Sequence, residues 1–309
     1  MSRLGQLADE YLQTRRALGY KLTNQGRVLL GFVRYLDDIG VNRITVEASL
    51  AFATQPKDAQ PIWWSRRLSV VRGFAAFVQT IDPDTEVLPK CPLARGGGPP
   101  RAVPYLYSAL QVAGLMTAAR SLRTPLLAAT YETFLGLLAV TGIRVGEAIA
   151  LDRDDVDLAQ AVLTIRSGKF GKARMVPVHP STVVALQTYA TRRDELRPRC
   201  AACSFFVSTA GSRLTYSSVR AIFARLVHQV GIEALSRRCR PRLHDFRHRF
   251  AVQTLLGWYR SDIDVAARLP LLSTYLGHVN PQSTYWYLSA TPDLLALAAN
   301  RLASSEVSQ

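Results

Sequence analysis

The stretch TGIRVGEAIAL, Thr141 to Leu151, sets one arginine and one glutamate into an otherwise apolar part of the chain. Gly142 is typical of a residue that ends a helix, because glycine readily adopts the left-handed conformation needed there. Arg144 follows at the turn, and Glu147, three residues further on, is positioned to orient the guanidinium or to cap a short helix. An arginine after a helix end is commonly an ordinary surface residue, so its meaning depends on the rest of the chain.

A second stretch, HDFRHRFAVQTLL, His244 to Leu256, groups cationic side chains at the start of an apolar pattern. His244 and Arg247 are one helical turn apart, so both side chains emerge on the same face and can approach one small anion. His248 also lies near that face. Taken alone, this spacing is weak support for catalysis.

A third stretch, YLGHVNPQSTYWYLS, Tyr275 to Ser289, contains His278 and three tyrosines. Tyr275 belongs to an apolar helix and is predicted to be core or a phosphate contact. Tyr285 and Tyr287 would face alike in an extended or irregular segment, but they would differ by about 200° on a helix. The residues alone leave open which of the two is a nucleophile.

The charge of the chain points to a polyanionic partner. The 309 residues carry a net charge of +15, far more than solubility requires. The alternative is a solvated basic surface, which charge alone leaves equally open. No apolar run is long enough to span a bilayer, and acidic residues occupy the place of a signal peptide's apolar stretch, so we expect a cytoplasmic, nucleoid-associated protein without membrane contact.

The cysteines and carboxylates do not predict a metal site. Four cysteines are too few for a disulfide framework in a chain of this size. Cys200 and Cys203 could begin a zinc site, but two further ligands at sensible spacing are missing, and packed free thiols are the alternative. The run DRDDVD, Asp152 to Asp157, is interpreted as a turn and helix-cap cluster rather than a Mg²⁺ site. We therefore expect neither a metal nor another cofactor.

Residues 1–86 have the periodicity of a small helical bundle. Apolar residues at spacings of three and four predict four helices, from Leu4 to Leu18, Asn24 to Ile39, Thr45 to Thr54 and Pro61 to Ile81. In the last of these, Arg66, Arg67 and Arg72 on one side could contact DNA phosphates. The alternative is that Trp63 and Trp64 are core and the arginines are ordinary surface residues.

Residues 87–104 hold five prolines and three consecutive glycines, which predicts an extended linker between two domains. Residues 105–309 are predicted to be mostly helical, with short strands in DDVDL, AVLTIR and ARMVPV and with the turn SGKFGK between the last two. The fold class is therefore mainly α with a small antiparallel β-sheet, in two domains. Helices are predicted at Ser108–Arg120, Pro125–Val140, Ser181–Leu196, Ser217–Val230, His244–Tyr259, Leu269–Leu276 and Pro292–Ser304.

The order of the three stretches resembles the tyrosine recombinase, or phage integrase, family over nearly the whole chain. The resemblance implies a core-binding domain in residues 1–86, followed by the linker and a catalytic domain. The family's catalytic positions fall on Arg144, Lys169, His244, Arg247, His278 and Tyr287. Lys172 is the alternative to Lys169 for the hairpin lysine and a candidate DNA contact. Tyr287 is preferred to Tyr285 on family spacing. The phrase ARLPLLSTYLGHVN further resembles transposon-borne recombinases whose genes occur in groups of three.

These residue types fit phosphodiester cleavage without a metal. The planar fork of an arginine can hold two phosphate oxygens as charge gathers in the transition state. A tyrosine hydroxyl needs a base or a field of cations to become a nucleophile. A lysine can give the leaving hydroxyl its proton, which is the role that the family assigns to the position of Lys169.

The resemblance implies a site-specific recombinase that needs no ATP, forms a 3′-phosphotyrosyl intermediate and acts in integration or transposition. It implies double-stranded DNA as substrate and a homo-oligomer on DNA, a tetramer with a Holliday junction between two rounds of cleavage. Sister recombinases could take part. The alternatives are a type IB topoisomerase or telomere resolvase, which the short chain argues against, and a catalytically silent DNA-binding accessory subunit.

Overall fold

The computed structural model describes residues 2–86, 88, 103–166, 173–198, 202–261, 263–278, 280, 282–289 and 294–297. The chain divides into two compact units, Met1–Arg101 and Ala102–Gln309. Most of the predicted linker, both candidate lysines and most of the predicted helix Pro292–Ser304 lie outside the described residues. No helix of the described part of the chain is long and apolar enough to cross a membrane.

The described residues of the first unit form four helices whose apolar faces meet in one core. They are α1 (Arg3–Ala17), α2 (Thr23–Asp38), α3 (Val46–Thr54) and α4 (Pro61–Gln79). Ser2 and Thr45 cap α1 and α3 with their hydroxyl groups, and Pro61 opens α4, where its missing N–H has no cost. The rings of Phe32 and Phe74 are completely buried between the helices. The predicted helical bundle is therefore present.

The second unit is mainly helical, with one small sheet. Its helices are α5 (Ala109–Arg120), α6 (Pro125–Thr141), α7 (Val145–Ala150), α8 (Pro180–Leu196), α9 (Tyr216–Val230), α10 (Asp245–Arg260), α11 (Val265–Leu276) and α12 (Gln282–Tyr285). Single 3₁₀ turns are formed by Arg153–Asp155 and Trp286–Ser289. The fold class predicted from the sequence is confirmed.

The sheet has three antiparallel strands in the order β1-β2-β3. They are β1 (Val156–Asp157), β2 (Val162–Ile165) and β3 (Arg174–Pro177). Leu163 lies opposite Val176, and Ile165 lies opposite Arg174. Side chains on one face of the sheet, including Leu163 and Val176, are buried. This register fixes Arg174 at the first position of β3, next to the predicted SGKFGK turn.

Helix α6 runs through the core of the second unit. Its residues Phe134 and Leu138 are completely buried, and it packs against α5, α8 and α10. The helix ends at Gly142, whose φ of +61° is the left-handed conformation expected there. A Cβ at this position would lie 2.6 Å from the ring of Phe250, so glycine also allows α10 to approach.

Helix α11 differs from its predicted bounds. It begins at Val265 rather than Leu269, because the side chain of Asp264 accepts a hydrogen bond from the Ala267 amide and caps an additional turn. Pro270 therefore lies inside the helix rather than in its first turn. Leu272 and Leu276 pack with α10 and with Tyr287 in a separate apolar cluster.

Candidate active site

Three arginines, far apart in the sequence, converge on the C-terminal end of α11. Each donates a hydrogen bond to one of three successive backbone carbonyls. The pairs are Arg174 Nε to Tyr275 at 2.9 Å, Arg247 Nη2 to Leu276 at 2.6 Å and Arg144 Nη2 to Gly277 at 2.9 Å. The last carbonyls of a helix have no partner within the helix, and its C-terminal end carries partial negative charge. The helix end therefore gathers the three cations.

Arg144 occupies the residue before α7, as the sequence predicted. Its amide donates to Oε2 of Glu147 at 2.9 Å, and its Nη1 donates to Oε1 at 2.7 Å. Glu147 thus both caps the short helix and orients the guanidinium, so the two roles left open by the sequence are filled together. The Arg144 side chain remains 26% exposed, which leaves part of the fork accessible.

Glu147 also binds Arg174 through two parallel hydrogen bonds. Nη1 of Arg174 lies 3.0 Å from Oε1, and Nη2 lies 2.7 Å from Oε2. Burial alone would raise the pKa of Glu147, but the hydrogen bonds from Arg174 and Arg144 reverse this and lower the pKa to about 2. Glu147 is therefore a carboxylate at neutral pH.

Arg247 is buried at the meeting point of two helix ends. Its Nη1 donates to the carbonyl of Gly142 at 2.9 Å and its Nη2 to that of Leu276, so it joins the ends of α6 and α11. Burial, and next the charge of Arg144, lower the pKa of Arg247 to about 10. The guanidinium nevertheless stays protonated at neutral pH.

His278 follows the glycine that ends α11. Its Nδ1 lies 2.6 Å from the hydroxyl oxygen of Thr284, which is completely buried. Burial, followed by the charges of Arg247 and Arg144, lowers the pKa of His278 to about 3. The imidazole is therefore neutral at pH 7, so it can offer a hydrogen bond but not a positive charge.

His244 lies at the N-terminal end of α10 and is exposed. Its ring meets that of His248 at a right angle, with 4.8 Å between the ring centroids. The ring of His248 in turn lies 5.5 Å from that of Tyr287. His248, which the sequence placed near the catalytic face, is thus a packing contact between the predicted histidine and the predicted nucleophile.

The tyrosines of the third stretch have different surroundings. The ring of Tyr287 stacks on that of His278, with centroids 6.0 Å apart and an angle of 23° between the planes, and it is only 2% exposed. Tyr285 is 55% exposed. The segment is helical or 3₁₀, so the two side chains do not face alike. Tyr275 donates to the carbonyl of Pro177, and burial raises its pKa to about 12.

The structure therefore brings five predicted site residues together. Arg144, Arg247, His278 and Tyr287 meet at the end of α11, and His244 is near enough to contribute to the lowered pKa of His278. Lys169 and Lys172 lie outside the described residues. The sequence analysis did not identify Arg174 or Thr284. A charged residue at an inward position of the strand RMVP was the available signal for Arg174, whereas nothing in the sequence distinguished Thr284 from its polar neighbours.

A basic cleft of about 720 Å³ adjoins His244. Its floor is apolar and includes Phe223. Its rim carries three exposed arginines, Arg220, Arg237 and Arg240. The cleft can accommodate an anionic chain with apolar or aromatic parts beside the candidate active site.

The three arginines predicted to share one side of α4 do not do so. Successive helical residues are about 100° apart, so Arg66, Arg67 and Arg72 are spread around the helix. Arg67 falls on the buried side, where its Nη2 donates to the carbonyl of Phe52 at 2.9 Å and its guanidinium covers the Phe52 ring. Arg66 is exposed and lies over Trp63.

No group of three or more His, Cys, Asp or Glu side chains that could hold a metal ion is found among the described residues. Cys203 is exposed, and Cys200 lies outside the described part of the chain. Asp152 instead binds Arg213, and Asp155 binds Arg166, so the predicted turn cluster is held by arginines.

The chain is similar to proteins of known families. Residues 108–293 match the Phage integrase family. A Sinorhizobium fredii protein named as an integrase/recombinase, y4rB, is 42% identical over 98% of both chains. Tyrosine recombinase XerC of a Roseiflexus species is 30% identical over 72% of this chain and 66% of its own length.

Two solved structures share the fold. The Tn1549 transposon integrase, in complex with transposon right end DNA, superposes with a TM-score of 0.64 at 17% identity, covering 98% of this chain and 100% of that chain. The XerH site-specific recombinase, bound to palindromic difH substrate, gives a TM-score of 0.64 at 18% identity, covering 89% and 78%.

Proposed function

The chain belongs to the phage integrase family of tyrosine recombinases, and on that basis we propose that it cleaves and rejoins double-stranded DNA through a 3′-phosphotyrosyl intermediate. The observation that carries the proposal is the convergence of Arg144, Arg247 and His278 on one helix end, with Tyr287 stacked on the histidine. Two guanidinium groups and a neutral imidazole provide hydrogen-bond donors that can stabilise the negative charge on the phosphate in the transition state.

In the proposed reaction, the Tyr287 hydroxyl loses its proton to water, because the nearby arginines favour the phenolate. Its oxygen then attacks the scissile phosphorus and the bond to the 5′ oxygen breaks. Arg144 and Arg247 hold the non-bridging oxygens, because their forks match the geometry of a phosphate. Lys169 gives the leaving hydroxyl its proton, with Lys172 as the alternative donor. One phosphoester replaces another, so the hydroxyl of a partner strand can reverse the step without ATP.

His278 acts as a neutral hydrogen-bond donor in this scheme. With its pKa lowered to about 3 by burial and by the neighbouring arginines, the ring bears no charge at pH 7. Its Nδ1 is engaged with Thr284, which leaves Nε2 for a phosphate oxygen. The positive charge of the pocket therefore comes from arginines and not from this histidine.

Cleavage also requires the segment that carries Tyr287 to open. Tyr287 is only 2% exposed and belongs to an apolar cluster with Leu272 and Leu276, so this arrangement leaves little of its side chain open to a DNA phosphate. We infer that DNA binding or assembly moves the Gln282–Tyr285 helix and the turn after it.

The proposed partner is duplex DNA, held near the active site by the arginine-rimmed cleft beside His244. Strand exchange needs several protomers on two DNA sites, with sister recombinases as further candidates. XerH and the Tn1549 integrase were solved with DNA, and a lambda integrase tetramer was solved on a Holliday junction. Integration or transposition is the proposed biological outcome.

The test uses a nicked duplex carrying a site obtained by selecting bound oligonucleotides. The wild-type chain and Tyr285→Phe should both form a covalent protein–DNA adduct, and Tyr287→Phe should form none. An adduct from Tyr287→Phe would refute the choice of nucleophile. If the wild-type chain binds the site specifically but forms no adduct, the proposal that it cleaves DNA is refuted and the accessory DNA-binding role is supported.

A further inference from the structure

We propose that Arg174 is a positioning residue for the cleavage step, which keeps Glu147 from neutralising Arg144 and fixes the helix end that carries His278. This inference rests on the proposed function. It concerns a residue outside the three sequence stretches that identify the active site.

Glu147 is shared evenly between two arginines. Oε1 accepts from Nη1 of both Arg144 and Arg174, while Oε2 accepts from the Arg144 amide and from Nη2 of Arg174. Without Arg174, the buried carboxylate would form a closed pair with Arg144, of net charge zero. With Arg174, the group of three carries a net charge of +1 next to the phosphate position.

Arg174 also fixes the chain that carries His278. Its Nε donates to the carbonyl of Tyr275, three residues before the histidine. Gly277 makes room for it, because a Cβ there would lie 2.8 Å from Nη1 of Arg174. The fork of Arg174 thus links the first residue of β3, Glu147 of α7 and the end of α11.

Arg174 is placed to act through other groups rather than on DNA. Its side chain is 10% exposed, and Nε, Nη1 and Nη2 all donate to protein acceptors. A phosphate held by Arg144 would therefore meet little of Arg174 directly. This separates its role from that of Arg144, whose fork is partly accessible.

The experiment compares Arg174→Met with the double variant Arg174→Met/Glu147→Gln in single-turnover cleavage of the nicked site. The single variant should cleave about 100-fold more slowly, the scale for loss of one group that stabilises transition-state charge. The double variant restores the net charge of +1, so its cleavage rate should be about tenfold higher than that of the single variant. DNA affinity should stay within about twofold for both, since Arg174 is nearly inaccessible.

Arg213→Met is the matched control. Arg213 also binds a carboxylate, Asp152, and a carbonyl at a helix end, that of Ile149 at 2.8 Å. It should lose thermal stability without a change in cleavage rate beyond about threefold. Melting temperatures of all variants show that the compared proteins are folded.

Two results would overturn the inference. One is that Arg174→Met cleaves the nicked site at the wild-type rate. The other is a double variant that is as stable as the single variant, or more so, and yet cleaves no faster, because packing alone would then explain Arg174. Failure of the proposed function is distinct from both, since the wild-type chain would then form no adduct.

Discussion

The hydroxyl oxygen of Thr284 lies 2.6 Å from Nδ1 of His278. Thr284 belongs to the short helix before Tyr287, whereas His278 follows α11. The bond therefore joins the segment that carries the proposed nucleophile to the helix end that gathers the arginines. In the tautomer that the proposed reaction needs, the Thr284 hydroxyl donates to Nδ1 and the hydrogen of the neutral imidazole is on Nε2.

Replacing this hydroxyl should impair chemistry more than binding. Thr284→Val keeps the shape but removes the donor, so we expect cleavage to fall about tenfold and the free energy of unfolding to fall by about 1 kcal/mol. Thr274→Val, at an exposed position of α11, is the control and should change neither. Equal cleavage rates for Thr284→Val and the wild-type chain would show that Thr284 does not set the imidazole proton.

Acidification should weaken the fold through His278. Burial and the charges of Arg247 and Arg144 hold its pKa at about 3 when folded, against about 6.5 when unfolded. The unfolded chain therefore binds more protons between these values, so stability is complete above about pH 6.5 and is lost as pH falls toward 3. Denaturant unfolding between about pH 5 and 7 avoids the acid range in which Glu147 titrates.

His278→Asn tests this assignment, because it removes the group and leaves the other titrating groups in place. Arg144, Arg174, Arg247 and His244 remain as the charged or titratable neighbours of the position. The variant should lose less stability than the wild-type chain on acidification. Parallel pH dependences for the two proteins would assign the acid sensitivity to other groups.

Gly277 and Gly231 provide a matched pair to test whether the Arg174 side chain needs the space left by the missing Cβ at Gly277. Both end a helix with positive φ, +67° and +70°, but a Cβ would meet Arg174 only at Gly277, since nothing lies within 4 Å at Gly231. Each alanine variant should be destabilised by about 1–2 kcal/mol from the left-handed backbone. Gly277→Ala should in addition lose cleavage in the nicked-site assay, whereas Gly231→Ala should retain it. Equal cleavage by the two variants would contradict the role given to this contact.

Arg247→Lys should abolish most cleavage although the charge is kept. A lysine has no planar fork and cannot donate at once to the carbonyls of Gly142 and Leu276 and to a phosphate. We expect a loss of about 100-fold or more in single-turnover rate. Arg249→Lys, on the same helix and bound to the carbonyl of Tyr107, is the control. If Arg247→Lys cleaves at a rate within about threefold of the wild-type value, the planar fork of Arg247 is not needed for cleavage.

The cleft beside His244 predicts a difference between two arginines of α9. Arg220 lines the cleft and Arg225 does not, although both are exposed. Arg220→Ala should weaken DNA binding and reduce the slope of log K against log salt by about 0.9, the value for one phosphate contact. Arg225→Ala should do neither. Equal effects would mean that only overall charge attracts DNA to this helix.

Local periodicity and capping signals in the sequence determined most of the elements. The spacing of apolar residues predicted the four helices of the first unit, and Gly142 predicted the end of α6, because both signals act within one or two turns of chain. The predicted start of α11 at Leu269 was wrong, because the cap at Asp264 starts the helix about one turn earlier, at Val265.

The sequence also named Arg144, Lys169, His244, Arg247, His278 and Tyr287, through a resemblance that depends on their order and spacing. It could not place Arg66, Arg67 and Arg72, since one residue of displacement turns a helical side chain by about 100°. The packing of α4 against the core decided that Arg67 covers Phe52 and that Arg66 stays exposed.

Only the tertiary structure decided how the site is held. Arg144, Arg174 and Arg247 come from three separate elements, and no local pattern predicts that one helix end collects them. They meet there because the carbonyls of Tyr275, Leu276 and Gly277 lack partners within α11 and need donors once α10 and β3 bury them. Which polar groups are buried depends on how the whole chain packs. Because buried carbonyls need hydrogen-bond donors, the packed chain brings the separate motifs into one pocket.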